Sequence, residues 1–333
     1  MFKTFDGLNR HIFATLKILR WTMTKPQTIK LNNKTRMKKS VLMMALAIGT
    51  SAAFTQDLTS KKGEKYLPET DDWAISVDAN PFLNYVGNFF GKTTPNSAPS
   101  FSYLTNNQTI VGKMFTDEKN AYRAIVRIGY TNTGTKGTVA QFSTTAPTFP
   151  TVPATVDDKQ SISAFNLAVG VGLEKRRGST RLQGYYGADV MIGLTSGGSS
   201  YTYGNALAAT GGATVANSYN FGTNITTDAY GNSARVLDKS NGFGFAFGVR
   251  GFIGAEYFIL PKISLGGEFG WGLGFTFSGQ GSTKTESIGA TTSGPAVGTI
   301  ETKSGGGSKF WLDTDNNNPL WMSGASIKAT FHF

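Results

Sequence analysis

The chain has 333 residues, with 41 glycines, 12% aromatic residues, 16% charged residues, no cysteine and a formal net charge of +11. Without cysteine no disulfide can staple the fold, so it must rest on packing and hydrogen bonds. The charge suggests a nucleic-acid partner until it is located: residues 1–36 carry eight basic side chains and one acid, Lys38 and Lys39 add two more, and from Gln56 onward 22 Lys and Arg oppose 20 Asp and Glu. No basic patch is left downstream, which argues against nucleic acid. High glycine and aromatic content, with few helix-period apolar stripes after residue 60, points to β structure.

In chain order, residues 37–55 (MKKSVLMMALAIGTSAAFT) combine a basic start, an apolar run from Val41 to Ile48 and small residues near Ala53. This is the three-part build of a secretory signal peptide, with an apolar run too short to span a bilayer as a helix. Cleavage is expected before Gln56. Residues 1–36 then read as an upstream extension from an over-called start, the alternative being an amphipathic leader. Residues 56–72 form a polar periplasmic segment.

Eight segments with a period near two follow, at 73–86, 108–115, 121–131, 160–174, 180–195, 241–257, 262–278 and 320–333. The joins at 116–120, 175–179 and 258–261 are short, while those at 87–107, 132–159, 196–240 and 279–319 are long. Short turns at one end and long loops at the other predict an all-β fold: an eight-stranded antiparallel up-and-down transmembrane β-barrel over 73–333 with short periplasmic turns and long extracellular loops.

Within the segments one face is bulky and apolar, as in Phe243, Phe245, Phe247, Val249 and Ile253, and the other is small or charged, as in Gly244, Ala246, Gly248, Arg250 and Gly254. An eight-stranded interior is just wide enough for side chains to fill, so rows of Phe and Trp belong outside. In water such a surface is far beyond what a soluble monomer tolerates; in a bilayer it matches the solvent. A soluble lipocalin-like barrel would need the reverse arrangement.

At the end of the chain, Trp321, Ala325, Ile327, Ala329, Phe331 and Phe333 share the lipid face, with Ser326, Lys328, Thr330 and His332 opposite. Here the pattern resembles the small eight-stranded outer-membrane β-barrel family of the OmpA and OmpX type. The sequence stops at Phe333, before the point where longer members carry a peptidoglycan-binding domain. The resemblance implies recognition of Ile327, Ala329, Phe331 and Phe333 by the barrel-assembly machinery, and outer-membrane lipid as the surrounding partner.

The inward face is expected to hold Asp78, Glu174, Asp189, Glu256 and Glu268 with Arg123, Arg127, Arg181, Arg250 and Lys328. In a narrow lumen these charges must pair or meet water. A salt-bridged plug is preferred over an ion path because eight strands leave little room for a water column. Only His11 and His332 are present; the first is lost with the leader and the second lies at the periplasmic end, so His-dependent catalysis at the outer face is excluded. Asp313, Asp315 and Asn317 have the alternate spacing of a calcium loop but lack its sixth-position glycine and twelfth-position glutamate, so no metal site is assigned. The glycines of GWGLG recur every second residue on a strand and make no nucleotide loop. No cofactor is expected.

The long loops are rich in Thr, Ser, Gly and Asn, with Tyr201, Tyr203, Tyr219 and Tyr230 in the longest. They serve either as solvated cover or as a binding surface for an extracellular ligand through 196–240 and 279–319. The expectation is a non-enzymatic, structural or surface-interaction protein of the bacterial outer membrane. The alternative is a small or gated pore for ions or small apolar molecules.

Overall fold

The computed structural model describes residues 58–92, 96–105, 108–145, 147–210, 212–315, 320 and 326–333. The leader, the signal peptide, Trp321, Ala325 and Asn317 lie outside these residues. Among these residues the fold is all-β, a single antiparallel sheet of thirteen strands instead of the eight expected segments. The strands are β1 (Trp73–Asp78), β2 (Ile110–Asp117), β3 (Asn120–Ala140), β4 (Thr155–Arg177), β5 (Leu182–Thr202), β6 (Ile225–Thr227), β7 (Ser233–Ser240), β8 (Gly244–Leu260), β9 (Ile263–Ser278), β10 (Ser282–Thr291), β11 (Gly294–Lys303), β12 (Gly307–Thr314) and β13 (Ser326–His332). Among the described residues one α-helix, α1 (Asn80–Gly91), follows β1, and a 3-10 turn spans Val215–Asn217.

Stepping between hydrogen-bonded neighbours from β1 through β2, β3, β4, β5, β8, β9 and β13 leads back to β1. Each of these strands derives from one of the eight periodic segments. The other five lie in the long connections. There β7 pairs with β5, β6 and β10, β10 also pairs with β11, and β12 takes over the edge of β9 beyond the stretch held by β13.

Two boundaries differ from the sequence reading for physical reasons. The segment expected at 73–86 is a strand only to Asp78; Asn80 and Pro81 then start α1, since proline in the first helical turn gives up no intrahelical hydrogen bond. In the other direction, β3, β4 and β5 run far into the expected loops: Asn132 to Ala140 pairs residue by residue with Thr155 to Ser163. This stretch is Thr- and Gly-rich with polar residues on both sides, so it carries no apolar alternation to read.

Burial inside the cycle is the inverse of a water-soluble core. Arg123, Arg176, Asp189, Arg250, Glu256 and Glu268 are buried, while Ile128, Val171, Val190, Ile253, Trp271 and Phe331 are exposed on the outward positions of the same strands.

Candidate functional site

The inward-facing side chains stack in tiers along the cycle. Nearest the short turns, Glu174 accepts from Lys113 Nζ at 2.9 Å and from Arg176 Nη1 at 2.9 Å, and Arg176 also pairs with Glu256. Gln183 Oε1 accepts from Arg176 Nε at 3.3 Å. Phe115 and Phe258 flank His332, whose Nε2 lies 3.4 Å from Ser264 Oγ. The nearby Glu256 carboxylate accepts from Ser264 and not from the His332 ring, so the trio lacks the carboxylate that would orient a histidine base.

One tier further in, Arg123 links the layers. Its Nη1 lies 3.3 Å from Glu174 and 2.9 Å from Glu268, and its Nε lies 3.4 Å from Asp189. Arg250 completes the set, reaching Asp189 at 2.8 Å, Glu268 at 2.9 Å and Asp315 at 2.7 Å. Both guanidiniums approach the Phe252 ring, at 3.9 Å for Arg123 and 5.2 Å for Arg250. Asp78 and Lys328 face each other in the β1–β13 register, and both are buried. The inward glycines of β9 make room for these long side chains: a Cβ on Gly270 would lie 2.2 Å from Arg250 Nε and 2.3 Å from Asp315 Oδ2.

Beyond the charges lies an apolar tier of Val111, Ile125, Ala168, Met191, Ala246, Trp311 and Leu320. Above it, Arg127 donates to the carbonyls of Tyr103 at 2.8 Å and Leu104 at 3.3 Å, fastening the segment that follows α1. Charged groups and apolar side chains thus occupy successive levels of the interior.

Nine of the ten charged residues expected inside are buried; Arg181 is not among them. It lies at the turn, donates to the carbonyls of Phe258 and Ile259, and stacks on Tyr66 at 3.7 Å, which ties the segment before β1 to this end of the sheet. Three members of the network were missed. Lys113 sits in IVGKMF, apolar on both faces; Arg176 lies in a stretch that reads as a turn; Asp315 reads as part of a polar loop. Instead Asp315 is fully buried against Arg250. Among the described residues, no group of three or more His, Asp or Glu side chains is arranged to hold a metal ion.

At the opposite end the long connections fold on themselves. Arg235 pairs with Glu286 at 2.9 Å, donates to the Asn205 carbonyl at 2.8 Å and stacks on Tyr203 at 4.2 Å. Asp158 accepts from the amides of Gly204 and Tyr219, both at 2.7 Å. Tyr201 is buried in this cap, whereas Tyr219 and Tyr230 are exposed. The turn carrying Tyr230 is braced by Asp228, which accepts from the Tyr230 and Asn232 amides and from Ser287 Oγ at 2.6 Å. The Ser287 bond, with those from Asn232 and Tyr230, holds the Asp228 carboxyl down to about 2 against the opposing effect of burial.

Ile327, Ala329, Phe331 and Phe333 occupy alternate outward positions at the end of β13, and Phe333 exchanges backbone hydrogen bonds with Trp73 at 2.8 and 2.9 Å. No protein-family model matches the chain, and no curated protein matches it.

Proposed function

We propose that the eight-strand cycle is a transmembrane barrel of a bacterial outer membrane, with a closed lumen and a non-enzymatic structural or surface-display role. The observation that carries this reading is the inverted burial: fully desolvated charges inside, exposed Phe, Trp, Ile and Val outside. Lipid is the solvent in which that distribution is stable.

The register supports closure. Following paired residues from Ser264 through Thr330, Ser76, Val111, Ile125, Gly170, Met191 and Gly248 arrives at Gly274, ten residues along the starting strand. A stagger of ten over eight strands, at ~3.3 Å per residue and ~4.8 Å between strands, gives a tilt of about 40°, inside the range of barrels whose interior is filled by side chains. The tiers described above fill it, which favours a plug over a conducting passage.

In this orientation the short turns, with the segment 58–72, face the periplasm, and the folded cap of β6, β7, β10 and β11 faces outward as the surface offered to an extracellular ligand. Outer-membrane lipid surrounds the barrel, and the assembly machinery acts on the β13 terminus. Because the chain lacks cysteine, single-cysteine labelling reads the topology directly. In intact cells a membrane-impermeant maleimide should modify S293C, in the exposed β10–β11 turn, and should reach E118C, in a short turn, only after permeabilisation. Equal labelling of both sites in intact cells, or of neither, would overturn the proposal.

A further inference from the structure

The helix α1 is amphipathic in an unusual sense. Projected at about 100° per residue, Phe82, Leu83, Tyr85, Val86, Phe89 and Phe90 fill an arc of about 160°, and Asn80, Pro81, Asn84, Gly87, Asn88 and Gly91 fill the remainder. A helix on a water-soluble protein turns its apolar arc inward. Here the half-buried positions are Asn80, Pro81 and Asn88, while Phe89 and Phe90 are 66% and 78% exposed, and no residue of the helix is buried. An isolated helix of this length is marginal in water, so its apolar side requires a covering medium.

The sheet beside it says what that medium is. Two strands that meet here are short: six residues in β1, which stops where α1 begins, and eight in β2. Tilted by about 40°, six residues rise only ~15 Å, less than the ~25 Å apolar band of an outer-membrane barrel. α1 starts two residues after β1 ends. It is held there by the Ala79 amide on the Ile327 carbonyl at 2.7 Å and by Asn80 Oδ1 accepting from the Ile327 amide at 3.4 Å. The apolar residues of α1 are exposed, like Trp73, Ile75, Ile327 and Phe331 on the outward positions of the neighbouring strands, and the helix begins where β1 stops; only the Phe82 ring meets another described aromatic, Phe101 at 5.5 Å, apart from the Phe89–Phe90 pair within the helix.

We infer that α1 lies in the bilayer with Val86, Phe89 and Phe90 against lipid acyl chains, completing the apolar band above the short strands β1 and β2. The inference rests on the outer-membrane reading, and its test separates the two. Bimane-labelled F89C, N84C and I192C are reconstituted in phosphatidylcholine vesicles brominated at mid-chain, with V86C as a second apolar-arc site; Ile192 is an exposed outward position of β5. Quenching at 89 and 86 comparable to that at 192, and at least about twofold stronger than at 84, is expected for a helix with its apolar face buried at the acyl boundary. Quenching at 192 but not at 86 or 89 would overturn the inference and leave the barrel reading intact, as would a cross-linked dimer through F89C, which would make a second copy the occupant. Absence of quenching at 192 as well would overturn both.

Discussion

Glu268 is the most informative position in the interior. Its Oε2 accepts from Arg123 Nη1 at 2.9 Å, and its Oε1 accepts from Arg123 Nη2 at 3.2 Å and Arg250 Nη2 at 2.9 Å. All three side chains are shielded from solvent. Glu268→Gln keeps the volume but removes the charge shared by two guanidiniums and offers an amide donor where only an acceptor is wanted. Removing one partner of a buried pair typically costs 3–5 kcal/mol, because an uncompensated charge stays behind; Asp189, Glu174 and Asp315 still touch the two arginines, which argues for the lower end, about 3 kcal/mol. Reversible urea unfolding in phospholipid vesicles, followed by tryptophan fluorescence, measures the difference. The exposed Lys136–Asp157 pair, 4.0 Å apart, is the control, and Asp157→Asn should change stability by no more than about 0.5 kcal/mol. A Glu268→Gln effect as small as that of the control would refute the claim that the network is desolvated.

Three other outcomes follow from the same geometry. A Cβ on Gly198 would lie 2.3 Å from the Lys239 carbonyl oxygen, so Gly198→Val should separate β5 from β7 at a cost of about 1–3 kcal/mol; hydrogen exchange should quicken at Asn241, whose amide donates to the Gly197 carbonyl, while β8 and β9 stay protected. Asp228 has a depressed folded-state pKa of about 2, so its contribution to ordering the Tyr230 turn is present above the ordinary value of 3.8 and lost as pH falls through about 2; the Asn232 amide shift should titrate there and be pH-independent in Asp228→Asn. In planar bilayers the protein should give no conductance steps, and Arg123→Ala with Arg127→Ala should stay closed because the Val111, Ile125, Met191 and Trp311 tier remains; sustained steps in either would favour a passage.

What the sequence made legible follows the physics of each segment. Strands that separate apolar from polar surface, such as β8 and β9, carry the alternation in plain form: Phe247, Val249 and Ile253 against Gly248, Arg250 and Gly254. Where both faces meet water, as from Asn132 to Ala140, nothing in the residue types distinguishes a strand from a loop, and only the pairing partner reveals it. The helix was hidden because Phe82, Leu83, Tyr85, Val86, Phe89 and Phe90 resemble a continued apolar segment, although Asn80 and Pro81 supplied a start signal. Most inward charges could be placed by parity alone. The partners Arg176 and Asp315 cannot, since Arg176 lies where β4 runs on past the point at which its sequence turns polar and Asp315 lies just beyond the end of β12 in a polar stretch; Arg181, inward by parity, belongs to the turn.

The central claim is that the charged interior and apolar exterior belong to a closed barrel in the outer membrane. The most direct test is electrophoretic mobility, with and without boiling, of the protein expressed from Met37 and recovered from fractionated membranes. Recovery in the outer-membrane fraction, with a band that shifts on heating, is the predicted result, because a closed strand cycle resists detergent until it is melted. A protein found in the soluble fraction, with one mobility before and after boiling, would contradict the account.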